Sequence, residues 1–303
     1  MPILTVLRKR TIFGAQFGAL LLAFLVPICC GISIAHAEWI SPEKTKASTA
    51  RYDGVNVRFE PGVYSYDISW QGIPVGSAAI TLRRLASGEA HIAVRVKTAQ
   101  GVRWLYSLKH VSEALFATTP FKPIRFSSRQ LENSRAKYRA VNYLPNGVIR
   151  ARDWKPGKKG DTFTLNTKNL TLDPIAAAFL AINLPADIGT TASFDVFNGK
   201  HRFIITMRVE AHEQLSSLGK MVDTMKVVPT IQKLTDTEGE KRFMGAALWF
   251  TPGESKKILK LSSKVWIGSI VAELVKFDPI VPNEPLEKVR SRIAYPDRQA
   301  SFE

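Results

Sequence analysis

Apolar and polar residues alternate with a period of two along most of this chain. In HIAVRVK, residues 91–97, the apolar Ile92, Val94 and Val96 fall on one side, and RFIITMRVE at 202–210 repeats the pattern. This period is typical of β-strands that have one face in a core and the other in solvent. About fourteen such segments follow one another at short spacing, separated by turn signals such as Asn198-Gly199.

The number of strands predicts the fold class and the domain organisation. A sheet of so many strands curls or closes. We therefore expect a mainly β protein, built as a curled antiparallel sheet, an incomplete β-barrel or a spiral. Residues 62–277 would form a single β domain, preceded by a signal peptide at 1–37 and an N-terminal extension at 38–61, and followed by a flexible C-terminal tail at 278–303.

The segment YDISWQGIPVGSAAITL, residues 66–82, carries three strand breakers in its middle. Gln71-Gly72 suits a tight turn, because glycine adopts a positive φ at little cost. Pro74 lacks a backbone donor and is tolerated at the start of a strand or on an edge. Gly76 would let the returning strand pass close to another backbone. The segment therefore predicts a hairpin with a corner.

The segment LDPIAAAFLAINLP, residues 172–185, predicts one α-helix. Asp173 suits the N-cap, Pro174 suits the first helical position, and Pro185 follows the end of the helix. Residues 175–182 are apolar on every side, so the helix cannot lie on a surface and must be enclosed. Its alanines keep it slim, and we expect it to lie inside the curled sheet.

The first 37 residues have the pattern of a secretory signal. Basic residues at 8–10 precede an apolar run at 11–34, and Ala35 and Ala37 frame a small-x-small site, so we expect cleavage before Glu38. A transmembrane helix is the alternative, because a run of this length could span a bilayer. Glycines and a proline interrupt the run, which favours cleavage. The expected location is the periplasm, with no transmembrane segment in the mature chain.

The charge and the cysteine content limit the classes of binding partner that we expect. The chain has 42 Lys and Arg against 26 Asp and Glu, a net charge of +16, and the first 37 residues hold three of the basic residues and none of the acidic ones. From Glu38 onward the net charge is therefore +13, and both cysteines lie in the removed segment. A basic envelope protein can bind lipid head groups, lipopolysaccharide or acidic glycans, whereas nucleic acid is not an expected partner. The alternative is that the basic residues only decorate solvated strand faces.

No motif for catalysis or metal binding is present. G-x-S-x-G does not occur, and His91, His110, His201 and His212 are not at the spacing of metal ligands. The acidic segment TDTEGEK at 235–241 lacks the spacing of a calcium loop and is typical of a hairpin turn. We predict no catalytic residue, no cofactor and no metal site.

Several aromatic residues are candidates for lining an apolar interior. Most would be core residues on strands, including a strand predicted over 102–117, but an enclosed β structure can also hold one hydrophobic ligand. The candidate lining residues are Trp70, Trp104, Tyr106, Phe179, Trp249 and Trp266.

The order of these motifs resembles the bacterial exported proteins grouped as "domain of unknown function 3108". The resemblance covers about residues 62–277. It depends on YDISWQGIPVGSA at 66–78, GVRWLY at 101–106 with Ser112-Glu113 after it, Pro123 to Phe126, Asp173-Pro174, Asn198-Gly199-Lys200, Trp249 and Gly268-Ser269. The helix departs from the family in lacking the polar and aromatic residues that family members usually have after the Asp-Pro pair, and Ile258-Leu259-Lys260 replaces a step that usually contains proline. The resemblance implies an exported envelope protein and assigns no catalytic residue.

These observations lead to three functional hypotheses. The first is a non-catalytic periplasmic protein that binds a lipidic or other hydrophobic ligand, or that scaffolds envelope partners. The second is a protein without a cavity, whose basic surface docks on anionic lipopolysaccharide or glycan. The third, a hydrolase of an envelope polymer, would require histidine, serine and a carboxylate to converge in one cleft.

Overall fold

A computed structural model describes residues 52, 55, 57–167, 169–185, 187–234, 245–254, 256–265 and 268–280. The expected cleavage site at Ala35, Ala37 and Glu38 lies outside this part of the chain, as does Trp266. No helix within the described residues is long and apolar enough to cross a membrane.

One sheet contains every strand of the described chain, and a single α-helix accompanies it. The strands are β1 Gly62–Trp70, β2 Ile73–Arg84, β3 Ala90–Thr98, β4 Leu108–Thr118, β5 Phe121–Glu132, β6 Arg135–Tyr143, β7 Val148–Trp154, β8 Asp161–Asn166, β9 Thr171–Leu172, β10 Thr191–Phe197, β11 Arg202–Ser217, β12 Lys220–Lys233, β13 Ala246–Phe250, β14 Ile258–Lys264 and β15 Ser269–Pro279; the helix α1 is Pro174–Asn183.

The sheet has fifteen strands in the order β8-β7-β6-β5-β4-β3-β2-β1-β15-β14-β13-β12-β11-β10-β9. All neighbouring pairs are antiparallel except β9 and β10. The predicted mainly β fold with one helix is therefore confirmed. The sequence did not indicate β9, because two residues are too few to show a period.

The first eight strands form a meander, so alternate connections lie at the same end of the sheet. We call the end with connections 71–72, 99–107, 133–134 and 155–160 the upper end. The end with connections 85–89, 119–120 and 144–147 is the lower end.

The first hairpin follows the prediction with one difference. Gln71 and Gly72 both have positive φ, +49° and +81°, and form the turn. A Cβ on Gly76 would lie 2.6 Å from the carbonyl oxygen of Lys97, so this glycine allows the close approach of two backbones. The second strand begins at Ile73 and includes Pro74, because a register shift opposite Ile68 and Ser69 accommodates the proline.

The helix is enclosed, as its composition predicts. Asp173 accepts hydrogen bonds from the backbone N–H groups of Ile175 and Ala176, both at 2.9 Å, and the residues from Pro174 to Leu180 are buried. The ring of Phe179 contacts two other phenylalanine rings, with centroid distances of 6.4 Å to Phe59 and 6.3 Å to Phe116 on β4. The helix therefore fills the lower half of the interior. Phe59 itself precedes β1, so the N-terminal extension contributes to the core.

The sheet overlaps itself where its ends meet. The turn between β10 and β11 lies against the inner face of β6, and a Cβ on Gly199 would be 3.1 Å from a methyl group of Val141. Lys200 of this turn reaches Asp153 on β7, with 3.3 Å between Nζ and Oδ2. The two ends of the sheet therefore overlap without a shared ladder, and the sheet curls without closing, as predicted.

Candidate functional site

A row of polar side chains crosses the inner face of β4 to β8 in the upper half of the interior. The strand registers pair Ser112 with Ser128, Ser128 with Arg139, and Arg139 with Asp153. His110 lies two residues before Ser112 on the same face of β4, opposite Gln130. Residues directly opposite in a sheet have Cβ atoms about 5 Å apart, so this row is contiguous.

The neighbouring side of the interior is apolar. On β3, Val94 pairs with Ser112 and Val96 pairs with His110, and both valines are buried. Tyr66 and Ala78 continue the apolar surface on β1 and β2. The upper half of the interior therefore has one polar and one apolar side.

Charged groups in the polar row are paired. Arg139 Nε donates to Asp153 Oδ1 at 3.1 Å, and both side chains are buried. Burial alone would raise the pKa of Asp153, but the charges of Arg139, Lys137 and Lys200 outweigh burial and hold this pKa below its usual value. The Asp153 side chain is therefore an ionised carboxylate that forms ion pairs with Arg139 and Lys200.

His110 and Ser112 differ from these paired residues. Neither ring nitrogen of His110 nor the hydroxyl of Ser112 has a hydrogen-bond partner among the described residues, although the two residues are 2% and 0% exposed. Burial, and to a smaller extent the nearby charge of Arg139, together lower the pKa of His110 to about 4. The imidazole is therefore neutral at pH 7, with one nitrogen able to donate and the other able to accept.

A second set of hydrogen bonds separates these groups from the upper end. Tyr106 Oη donates to Glu132 Oε1 at 3.2 Å, and Gln130 Nε2 donates to Glu132 Oε2 at 3.1 Å. Gln130 stands opposite His110. Tyr106, Gln130 and Glu132 therefore lie between the upper end and His110.

The predicted lining residues lie in different environments. Phe179 and Tyr106 are buried in the interior, at the lower and upper halves, and Trp70 packs partly buried against the core. Trp104 does not line the interior, because it is 80% exposed. The chain bends at Gln100–Val102 into a 3-10 turn, so the strand predicted over 102–117 begins only at Leu108.

Trp249 also differs from the prediction. It faces outward, where its indole N–H donates to Glu213 Oε2 at 2.9 Å. The ammonium groups of Lys226 and Lys260 each lie 5.8 Å from the ring centroid. Its burial therefore comes from long side chains that cover it on the outer face. The two inward neighbours, Leu248 and Phe250, belong to the core.

Histidine, serine and carboxylate side chains share this inner face, but His110 and Ser112 are not hydrogen-bonded to each other or to Asp153. The Asp153 carboxylate is bound by Arg139 and Lys200. A nucleophile needs a base within hydrogen-bond reach, oriented by a third group. Among the described residues there is also no group of three His, Cys, Asp or Glu side chains that could hold a metal ion.

The interpretation of the sequence missed His110 and Ser112 as site residues. The signal was present: in LKHVSEALF at 108–116, both fall on the same side of the alternation as Leu108, Ala114 and Phe116. Polar residues at positions that the period assigns to a core are the mark of a buried polar site.

Comparison with known proteins supports the fold. A crystal structure of a beta-barrel-like protein of domain of unknown function DUF1849 from Brucella abortus has a TM-score of 0.53 with 13% sequence identity. The similarity covers 74% of this chain and 100% of that chain. At this identity it concerns the fold alone. No curated protein matches the chain.

Family comparison agrees with the resemblance found in the motifs. Residues 65–275, which span β1 to β15, match the family described as protein of unknown function (DUF3108). Because the match covers well over half of the chain, the protein belongs to this family.

Proposed function

We propose that this protein is exported to the periplasm, loses residues 1–37, and binds an amphipathic, lipid-like ligand there without catalysing a reaction. The observation that carries the proposal is the pair of buried, unpartnered side chains His110 and Ser112 in the upper half of the interior. The basic residues at 8–10, the apolar run after them and the small-x-small site at Ala35 and Ala37 support export.

The cost of leaving these groups unpaired favours a ligand. A buried polar atom without a partner costs about 1–3 kcal/mol, and His110 and Ser112 present three such atoms. A head group with hydroxyl or phosphate oxygens would satisfy them, because neutral imidazole and serine both donate and accept. Arg139 beside them adds a positive charge.

The adjoining apolar surface suits the other part of such a ligand. Val94 and Val96 flank the polar pair, and Tyr66 and Ala78 extend the apolar side. Binding sites for small molecules are commonly apolar with a few convergent polar groups. A ligand that enters from the upper end displaces the hydrogen bond between Tyr106 and Glu132.

Extraction of the purified protein tests the proposal. Protein isolated from the periplasm and denatured in organic solvent should release a lipid detectable by mass spectrometry. The variant His110→Phe, which replaces the unpaired imidazole by an apolar ring, should fold and release none.

Thr81→Val is the matched control. The hydroxyl of Thr81 is also buried without a partner among the described residues, but it lies on the outer face of β2. This variant should release the same lipid as the parent protein. An empty extract from the parent protein, or equal release from His110→Phe, contradicts the proposal.

A second candidate function is supported by the outer face of β2 to β7. This face carries nine Lys and Arg and a single acid, Glu113. The basic residues are Arg83, Arg95, Lys97, Lys109, Lys122, Arg125, Arg129, Arg150 and Arg152. Docking on lipopolysaccharide or an acidic glycan through this face requires no interior ligand. It predicts an empty extract together with polymer binding that weakens steeply with salt.

A further inference from the structure

The connections at the upper end combine exposed apolar side chains with basic ones. Ile73, Trp104 and Leu105 are 56%, 80% and 46% exposed. The connections 71–72, 99–107, 133–134 and 155–160, with Ile73 and Arg135 directly after two of them, contain no acidic residue. Their exposed basic residues are Arg103, Arg135, Lys155, Lys158 and Lys159.

These connections follow one another along one edge of the sheet, and two of them are joined by hydrogen bonds. The backbone N–H of Asn133 donates to the carbonyl oxygen of Ser107 at 2.8 Å, and Asn133 Oδ1 accepts from the backbone N–H of Ser107 at 2.9 Å. The backbone N–H of Ala99 donates to the carbonyl oxygen of Val75 at 2.8 Å. Hydrogen bonds therefore join connection 99–107 to connection 133–134 and to the start of β2.

The indole ring of Trp104 can be buried against an apolar partner without leaving its N–H group unpaired. Its indole N–H donates to the carbonyl oxygen of Gly101 at 3.0 Å, within its own loop. The exposed ring therefore needs no polar partner when it leaves water. Exposed tryptophan and aliphatic residues beside basic ones are typical of surfaces that sit at the membrane–water interface.

The lower end of the same strands has few of these features: Arg84, directly before connection 85–89, is exposed, but none of its connections carries an exposed large apolar side chain. Connections 85–89, 119–120 and 144–147 contain no Lys or Arg and one acid, Glu89. Residues 73–154 hold 14 Lys and Arg against four acids, so most of the excess positive charge of the chain lies on this meander and its upper end. The asymmetry gives the meander of β1 to β8 one basic end with exposed apolar side chains.

We propose that the upper end docks on an anionic lipid bilayer. Trp104 and Leu105 enter the interface, and the basic side chains meet the lipid phosphates. The aliphatic side chains of Ile73 and Leu105 favour a bilayer over a polysaccharide, because only a bilayer offers hydrocarbon to bury them. Each Lys or Arg near the surface of an anionic membrane raises the affinity of such a basic segment about fivefold.

Sedimentation with vesicles tests the docking. The purified protein should bind phosphatidylcholine vesicles that contain phosphatidylglycerol, bind pure phosphatidylcholine much more weakly, and lose affinity as salt rises. The combined variant Lys155→Gln, Lys158→Gln and Lys159→Gln should weaken binding about a hundredfold. Trp104→Ala should weaken it about tenfold through the loss of buried apolar area.

Matched variants separate docking from general charge attraction. Lys122→Gln, Lys220→Gln and Lys276→Gln together remove the same charge from exposed positions away from the upper end, and Met221→Ala truncates an apolar residue that is 64% exposed elsewhere. Both should bind the anionic vesicles like the parent protein. Equal losses in these controls overturn the proposal.

A polysaccharide partner gives a different result. In that case binding to a soluble acidic polysaccharide would equal or exceed binding to vesicles, and Trp104→Ala would leave vesicle binding unchanged, which also overturns the proposal. The docking surface uses none of the interior residues. Its failure would therefore leave the ligand proposal standing, and an empty lipid extract would leave the docking proposal standing.

Discussion

At the scale of single residues, polar side chains in the interior distinguish the two halves of this molecule. The lower half is filled by rings and aliphatic groups around Phe179, whereas the upper half buries His110, Ser112 and a paired Arg139 and Asp153. Aromatic residues in the sequence did not predict the site well, because Trp104 and Trp249 face outward. Small polar residues in phase with the core were better guides, because burial of an unpaired group has a cost that packing alone does not offset.

The pKa of His110 predicts a pH-dependent stability. In the folded protein this pKa is about 4, against an ordinary value of 6.5, so between these values the unfolded chain binds a proton that the folded one does not. The contribution of neutral His110 to the free energy of unfolding is fully present above pH 6.5 and is lost as the pH drops towards 4. The total loss is about 3 kcal/mol.

Urea unfolding at several pH values checks this prediction against His110→Gln. The parent protein should lose stability relative to this variant on acidification, whereas His212→Gln, at an exposed position, should follow the parent. Asp173, whose pKa burial raises to about 7, gives the opposite slope in all three proteins and cancels in the comparison. Parallel curves for the parent and His110→Gln would contradict the prediction.

At the scale of elements, the helix and the first hairpin could be predicted because their signals are local. Asp173 and Pro174 set the start of α1, and Gln71-Gly72 set the turn between β1 and β2. The connection 99–107 could not be predicted, because GVRWLY alternates like a strand. There the backbone N–H of Tyr106 donates to the carbonyl oxygen of Val102 at 3.1 Å, which closes a helical turn in place of a ladder.

The N-cap of α1 should contribute measurably to stability. Asp173→Ala removes the acceptor of two backbone N–H groups at a buried helix start and should lower the free energy of unfolding by about 1–2 kcal/mol. Asp173→Asn keeps one oxygen and should lose less. Urea unfolding measures both, with Asp187→Ala as an exposed acidic control within about 0.5 kcal/mol of the parent. Equal losses for Asp173→Ala and Asp187→Ala would show that the cap is not stabilising.

At the scale of the whole molecule, the number of strands predicted that the sheet curls but not where its ends meet. That contact depends on residues far apart in the chain, such as Lys200 with Asp153 and Gly199 with Val141, and no local pattern encodes their distance. The same overlap buries a charged group on β10. Asp195 accepts from Arg202 Nε at 2.8 Å and from Thr171 Oγ1 at 3.0 Å, and its carboxylate and the guanidinium are almost completely buried.

This buried pair predicts an asymmetric response to mutation. Arg202→Met leaves the Asp195 carboxylate buried without its cation and should cost about 3–5 kcal/mol of unfolding free energy. Adding Asp195→Asn removes the uncompensated charge, keeps an acceptor for Thr171, and should recover most of this loss. The exposed pair of Arg58 and Glu254 is the control: Arg58→Met should cost at most about 1 kcal/mol. A double variant no more stable than Arg202→Met would mean that packing of the arginine stem, and not the charge it neutralises, holds the overlapping ends of the sheet together.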